Sequence, residues 1–388
     1  MRHREQTDAS DRDRVEGVRL VPQGGVGTAS ASAARGLDFA SQDCLDLTAH
    51  PAIVEAAADT LRRFGVRSVC SAAEAGDAGL AVTLERRIAE FLQMEEAMLC
   101  PTGRAAGQTV IRGLVRPSDH VVMDEAVSGG LREGAEAATR HLSAFRHLDA
   151  DHCRARLRTI RARDAQTGIL VVTESLSPLD SGTPDLAALR AACDAYGATL
   201  LVDVAQDLGC LGDDGRGHLG LQDMLGRVDL VTGSFSKSFA SNGGFIAAGT
   251  RSLTACLRTK GDAAGAALSP IQTAVILRAF AIIDGAEGAE RRARLMRNVL
   301  KLRTALRARG LDVCGEPSAT VSVKLASAEA ARRLADQGLL ADLASAPETV
   351  RLHVTAGHSE AEIDRAAACL ALSLDRKSRC DAAIRAAA

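Results

Sequence analysis

The stretch "VDLVTGSFSKSFASNGG" (residues 228–244) runs from an apolar, strand-like segment into a loop of small residues that contains one lysine, Lys237. Moving a free ammonium group from water to the end of a buried strand is costly. A lysine at this position therefore needs either a partner or a chemical use for its amine.

Short apolar runs alternate with helical patterns on both sides of this stretch. Runs rich in Val, Ile, Leu and Ala begin at residues 96, 119, 169, 199, 228 and 244, and amphipathic patterns such as "AVTLERRIAEFL" and "PDLAALRAACDAYG" lie between them. This alternation is typical of a mostly parallel sheet with helices on both faces. We predict an α/β fold with this sheet in a large domain at residues 36–285.

The two ends of the chain differ from this centre. Residues 1–35 are polar, rich in Gly, Ala and Ser and without a period, which predicts a mobile N-terminal arm. After a long arginine-rich helical pattern that ends at Gly310, the strand-like runs "ATVSVKL" and "VRLHVT" alternate with helical ones. We predict a smaller C-terminal α+β domain at residues 286–388, with a cleft between it and the large domain.

Composition argues against several classes of function. The chain has 388 residues, 46% of them hydrophobic, and a net charge of −2, so no basic face for nucleic acid is expected. The apolar runs are far shorter than the roughly 20 residues that span a bilayer, which predicts no membrane contact and a cytoplasmic location. Ten cysteines stand singly without a CxxC pair, which indicates reduced thiols and no metal site.

Two polar residues follow apolar strands at the edge where doubly wound sheets gather their chemistry. Asp203 ends "TLLVD" and Lys237 follows "VDLVTG". Alone, Asp203 could cap a turn and Lys237 could be a surface residue. Together they suit pyridoxal 5′-phosphate, which needs a lysine amine for a Schiff base and an anion beside its pyridine nitrogen. Such a charge pair is worth roughly 4 kcal/mol at an effective dielectric near 20.

Five segments in the same order resemble the α-oxoamine synthases, a family of fold-type I pyridoxal phosphate enzymes. They are "LDFASQDCLDLTAHP" (37–51), "LERRIAEFLQMEEAMLCPTG" (84–103), "VDVAQDLGCLGDDGRG" (202–217), "VDLVTGSFSKSFASNGGFIAAG" (228–249) and "VRLHVTAGHSEAEID" (350–364). The resemblance implies a homodimer with its active site near the subunit interface. It also implies an acyltransferase that condenses an amino acid with an acyl thioester and releases carbon dioxide.

The resemblance also implies roles for individual residues. Lys237 is the Schiff-base lysine and Asp203 the pyridinium partner, both catalytic. Arg351 would grip the amino-acid carboxylate with its planar fork, and Gln42 would contact the substrate. Further cofactor contacts are implied for a set of residues spread over four segments of the chain: Ser234, Gln206, Thr102, Gly103, Arg104 and Ser128.

Several positions depart from the family pattern. Ser128 stands where a histidine normally stacks on the cofactor ring, and Gln206 stands where another histidine contacts the cofactor oxygen. Gln42 and Gly107 replace asparagines, and Ala266 replaces a hydroxyl residue. These losses leave open an aminotransferase or lyase on the same frame, or a non-catalytic subunit that pairs with an active homologue. An acyl carrier protein also stays open as acyl donor, since "ERRARLMR" (290–297) offers a basic surface.

Overall fold

The structure is a computed structural model of the chain, and it describes residues 37–66, 79–260, 268–324, 334, 339–343 and 349–372. The predicted N-terminal arm, Ala266 and most of the helical pattern at 327–338 lie outside the described residues. Among the described helices, none is long and apolar enough to cross a bilayer.

The first part of the described chain alternates strands and helices. The strands are β1 (Leu37–Phe39), β2 (Glu96–Cys100), β3 (His120–Asp124), β4 (Leu142–Phe145), β5 (Ile169–Glu174), β6 (Thr199–Asp203), β7 (Leu230–Ser234) and β8 (Gly244–Ala248). The helices are α1 (Pro51–Phe64), α2 (Leu80–Leu92), α3 (Gly103–Leu114), α4 (Gly129–Ala138), α5 (Ala150–Arg163), α6 (Leu186–Tyr196), α7 (Gly217–Leu221) and α8 (Arg251–Lys260).

The second part begins with two long helices. These are α9 (Pro270–Ile283) and α10 (Ala286–Arg307), and they precede the strands β9 (Asp312–Val313), β10 (Thr320–Lys324), β11 (Leu339–Leu343) and β12 (Thr349–His353). Residues 360–372 are helical. Local signals explain the helix starts: Ser269 and Gln272 form a reciprocal capping box before α9, with Pro270 in its first turn.

The central sheet has seven strands in the order β2-β8-β7-β6-β5-β3-β4. Its neighbouring pairs are parallel except for those that β8 makes with β2 and β7. Alternate residues of the strands enter two separate apolar cores, as with Val171 and Leu170 on β5. Helices therefore cover both faces, and the prediction of a mostly parallel, doubly covered sheet is confirmed.

The second sheet has five strands in the order β1-β11-β12-β10-β9. Strand β1 is parallel to β11, whereas the other neighbours are antiparallel. The predicted α+β character of the C-terminal part is thus present, and a strand from the start of the described chain joins it. The domain limits at residues 36–285 and 286–388 stay a prediction.

Candidate functional site

Three neighbouring strands of the central sheet end side by side in polar residues. Glu174 of β5 is the register partner of Asp203 on β6, and Asp203 is the register partner of Thr232 on β7. All three side chains are buried. We call the site formed by Glu174, Asp203 and Lys237 the lysine pocket.

Two hydrogen bonds hold the Asp203 carboxylate in place. Oδ2 accepts from the Thr232 hydroxyl at 2.6 Å and Oδ1 accepts from the Ala205 amide at 2.9 Å. Burial nevertheless raises the pKa of Asp203, with these hydrogen bonds and the charge of Lys237 opposing the rise. A fixed carboxylate that lacks enough positive charge suits a cationic ligand, such as a protonated ring nitrogen.

Lys237 is half-buried in the loop that follows β7. Burial lowers the pKa of its amine, and the nearby charges of Asp203, Cys44, Glu174 and Cys210 only partly offset the effect. A lysine with a lowered pKa has more of the neutral, nucleophilic amine at neutral pH. The structure therefore places Asp203 and Lys237 close enough for their charges to interact, and burial favours the neutral amine of Lys237.

Glu174 was not predicted from the sequence as a site residue. Burial, followed by the charge of Asp203, raises its pKa to about 8. Its Oε2 accepts from the Ser128 amide at 3.2 Å, so the half-buried residue at the predicted ring-stacking position is attached to this carboxyl group. The signal that could have found Glu174 is the one that found Asp203, namely an acid that ends an apolar strand.

The backbones of the predicted phosphate-binding segments lie very close to one another. A Cβ on Gly244 would lie 2.4 Å from the Thr102 carbonyl oxygen, and one on Gly103 would lie 2.7 Å from the Ser234 Cβ. Thr102 caps α3 by accepting from the Ala105 amide at 3.0 Å. The start of this helix leaves amides without intrahelical acceptors next to the Ser234 hydroxyl, which is a suitable cradle for an anion.

Other predicted residues lie at the margins of this site. The guanidinium of Arg104 bonds Glu133 on α4, so only its backbone can face the cradle. Gln206 is half-buried one turn beyond Asp203, and Gln42 is exposed. Within the described residues, no group of three or more His, Cys, Asp and Glu side chains is arranged to hold a metal ion.

Arg351 lies on β12 of the second sheet. Its Nη1 donates to the Pro178 carbonyl at 3.0 Å, which attaches it to the loop after β5. The segment beyond β12 also reaches the lysine loop: the Ala356 amide donates to the Cys44 carbonyl at 2.8 Å, and the Cys44 amide donates to the Lys237 carbonyl at 3.1 Å. Arg351 thus bonds the loop after β5, and the segment that follows its strand is connected to the Lys237 loop through Cys44.

A second group of charged side chains lies at the same edge of the central sheet. His147 Nδ1 is 2.7 Å from Asp124 Oδ1, and its Nε2 is 3.3 Å from Asp180 Oδ1. These hydrogen bonds raise the pKa of His147 to about 10 and lower that of Asp180 to about 2. Burial alone would raise the pKa of Asp124, but hydrogen bonds from His147 and two backbone amides lower it. We call these three residues the histidine cluster.

The fold and the lysine pocket together define the class of fold-type I pyridoxal phosphate proteins. Residues 34–370 match the family model for aminotransferase class I and II. The chain is 31% identical over 343 residues to an 8-amino-7-oxononanoate synthase from Klebsiella pneumoniae, which covers 85% of this chain and 87% of that protein. It is also 31% identical to a putative 8-amino-7-oxononanoate synthase 2 from Mycobacterium tuberculosis, with 83% of this chain but only 42% of that protein covered.

Solved structures give a matching result. A serine palmitoyltransferase variant from S. paucimobilis with a bound PLP–myriocin aldimine has a TM-score of 0.80 and 25% identity, with 86% of each chain covered. An 8-amino-7-oxononanoate synthase from Francisella tularensis shares the fold at a TM-score of 0.75 and 18% identity, with 89% of this chain and 99% of that one covered. The chain belongs to the aminotransferase class I and II family and, within it, to the α-oxoamine synthases.

Proposed function

We propose that this chain is a pyridoxal phosphate-dependent acyltransferase that joins an amino acid to an acyl thioester with loss of carbon dioxide. The observation that carries the proposal is the pairing of a lysine amine of lowered pKa with a hydrogen-bonded, buried carboxylate in one pocket. Pyridoxal phosphate, when bound, supplies an electron sink for negative charge at the amino-acid Cα. The described residues suit that group in charge, and the start of α3 beside Ser234 suits its phosphate.

In this proposal Lys237 and Asp203 are the catalytic residues. Lys237 would hold the cofactor through its aldehyde group, and the Lys237 amine would be the group that moves a proton at the substrate Cα. Asp203 would keep a proton on the ring nitrogen, because its buried carboxylate is held in place by hydrogen bonds from Thr232 and Ala205.

The remaining predicted residues bind and orient. The backbone amides at Thr102, Gly103 and Arg104 and the hydroxyl of Ser234 bind the phosphate. Gln206 would hydrogen-bond the cofactor oxygen, and Ser128 would lie at the ring, each in place of a histidine. The guanidinium of Arg351 binds the amino-acid carboxylate, and Gln42 contacts the substrate from the exposed side of the pocket.

The partners follow from this reaction. We propose that the substrates are an amino acid and an acyl thioester, carried by coenzyme A or by an acyl carrier protein. A homodimer with its site near the subunit interface and a cytoplasmic location belong to the same proposal. Support comes from the family to which the chain belongs.

Two measurements test the proposal in sequence. Protein incubated with pyridoxal phosphate and reduced with borohydride is digested, and a pyridoxyl adduct is expected on the peptide that contains Lys237. Release of free thiol from acyl-coenzyme A is then followed with each of a panel of amino acids, and release that depends on one amino acid is expected. Keto-acid formation without thiol release would assign an aminotransferase instead. No cofactor uptake would favour a non-catalytic subunit.

A further inference from the structure

A buried aspartate and histidine pair lies one turn beyond Asp203 and has no part in the proposed reaction. Asp207 is fully buried and His218 is 7% exposed. The Asp207 Oδ2 accepts from the His218 Nδ1 and from the His218 amide, both at 2.8 Å. Its Oδ1 accepts from the buried Ser175 hydroxyl at 2.9 Å. We call Ser175, Asp207 and His218 the support network.

The backbone is shaped to bring these groups together. Gly217 has a φ of 63°, and a Cβ at this position would lie 2.7 Å from the Asp207 Cγ. Only a glycine permits so close an approach in that conformation. An apolar side chain of similar size would fill the space of Asp207 at a smaller desolvation cost, so the distinct contribution of the network is the orientation of what it bonds.

The network is connected to the two acidic strand ends of the lysine pocket. Ser175 directly follows Glu174, and its amide donates to the Asp203 carbonyl at 2.8 Å. The Ser175 hydroxyl lies 3.2 Å from the same carbonyl oxygen as well as 2.9 Å from Asp207. This hydroxyl therefore fixes the end of β5 against the end of β6, where Glu174 and Asp203 stand.

The network is also connected to the lysine loop. Asp207 lies in the turn that follows β6, and this turn carries Gln206. At Gly209 the turn lies so close to the residue after Lys237 that a Cβ on Gly209 would be 2.7 Å from the Ser238 Cβ. Because these backbones are in close contact, a displacement of the turn would displace the lysine loop.

We propose that Asp207 and His218 are positioning residues of the lysine pocket, which fix Asp203 and Lys237 relative to each other through Ser175 and the turn after β6. They act through these neighbours and not on the reacting atoms. The proposal rests on the proposed function only in that the pocket takes up pyridoxal phosphate.

The test compares His218→Ala with His218→Asn in the cofactor-loaded protein. His218→Ala removes the Nδ1 donor, whereas the asparagine Nδ2 stands at nearly the same place and donates to Asp207. Visible circular dichroism of the bound cofactor reports the orientation of its ring. We expect His218→Ala to weaken this signal and to lower the affinity for pyridoxal phosphate about tenfold, and His218→Asn to restore the signal and an affinity within about threefold of the wild type.

Asp124→Asn is the matched control. It breaks a second buried aspartate and histidine pair at the same edge of the sheet, where the His147 Nδ1 lies 2.7 Å from the Asp124 Oδ1. We expect this variant to unfold at lower urea concentration, as His218→Ala does, while the circular dichroism and the cofactor affinity stay near those of the wild type.

The proposal is overturned if His218→Ala keeps the wild-type signal and affinity, or if His218→Asn restores neither. Ser175→Ala removes only a hydroxyl, and it gives the same two readings if His218→Ala does not fold. A wild-type protein that binds no pyridoxal phosphate would defeat the proposed function instead. The positions are then compared by the rate at which trinitrobenzenesulfonate labels Lys237, which we expect His218→Ala to change by about threefold or more and His218→Asn to restore, and an unchanged rate overturns the proposal.

Discussion

The lysine pocket and the histidine cluster lie at the same edge of one sheet and differ in the direction of their pKa shifts. In the histidine cluster each shift favours the charged form, because His147 lies between two carboxylates. In the lysine pocket each shift favours the neutral form, because burial outweighs the partners that the protein provides. The charges of the histidine cluster are balanced by one another, and they stabilise the fold. The charges of the lysine pocket are not balanced within the protein and need a ligand.

Among the variants that test this difference between the two sites, replacement of Lys237 should have the largest effect. Lys237→Ala is expected to abolish the pyridoxyl adduct and to lower turnover by about 10⁴-fold or more, the size usual for loss of a covalent nucleophile. The absorbance of the cofactor-loaded protein and the mass of the reduced peptide are the measurements. Lys301→Ala is the control, since Lys301 pairs at the surface with Glu360 and Asp364. An adduct that survives in Lys237→Ala would end the assignment.

The two strand-end aspartates offer a matched pair of changes. Asp203→Asn is expected to weaken cofactor binding by about 10³-fold, from the loss of a charge pair worth roughly 4 kcal/mol. Asp124→Asn removes a carboxylate at the end of β3 and should change that affinity by less than about threefold while lowering the stability. Equilibrium dialysis with pyridoxal phosphate and urea unfolding give the two numbers. Equal losses of pyridoxal phosphate affinity in Asp203→Asn and Asp124→Asn would contradict the assignment of cofactor binding to the lysine pocket alone.

The histidine cluster should contribute to the free energy of unfolding by an amount that depends on pH. The pKa of His147 is about 10 in the folded protein, above its ordinary value, so its contribution is full below about pH 6.5 and is lost as the pH rises through about 10. The shift limits the effect to about 5 kcal/mol, and we expect about 3 kcal/mol for His147→Asn at pH 6, because partial hydration weakens the pairs. Urea unfolding at pH 6 and pH 9.5 checks this, and a loss that grows with pH would be contrary to it.

In the cofactor-free protein, replacement of Glu174 should change the stability in the opposite direction from replacement of His147, although both contributions are lost as the pH rises. Its pKa of about 8 lies above its ordinary value, so folding is favoured by its neutral form at low pH and the advantage is lost as the pH rises through about 8. Glu174→Gln keeps the neutral form, and we expect it to be more stable than the wild type by about 2 kcal/mol at pH 9 and similar at pH 4. Thermal unfolding across this range is the measurement. If Glu174→Gln were less stable than the wild type at pH 9, the charged form of Glu174 would be balanced by its neighbours, as the residues of the histidine cluster are.

Arg351 tests the connection between the two regions, since the loop it bonds through Pro178 also carries Asp180. Arg351→Lys is expected to raise the KM for the amino acid by about tenfold with little change in kcat, because a lysine cannot bind a carboxylate in a bidentate way. Arg307→Lys at the exposed end of α10 is the control. A change confined to kcat would argue against carboxylate binding.

The central sheet and the pair of Asp203 and Lys237 could be predicted from the sequence for a physical reason. Buried parallel strands read as apolar runs, so a charged residue at the end of such a run is conspicuous, as with Asp203 and Lys237. It missed β4 and β11, because "LSAF" and "LLADL" are short and of mixed polarity. The helical pattern "PDLAALRAACDAYG" is helical only from Leu186, because Asp185 is the capping residue.

The histidine cluster could not be predicted, because its members are far apart in the chain. Asp124 ends β3, whereas His147 and Asp180 lie in the loops after β4 and β5, and only the order of these strands brings the three together. The degree of burial of each group and the partners around it set the direction of its pKa shift, and both are properties of the folded chain.

The pairing of β1 with β11 has a consequence for biosynthesis. Leu37 pairs with Leu339, so 339 − 37 = 302 residues separate the two partners. A ribosome that adds roughly 5 to 20 residues per second needs about 15 to 60 s to make that stretch. The nascent chain therefore carries Leu37–Phe39 without its neighbour while the seven-stranded sheet is being completed, and the second sheet closes last.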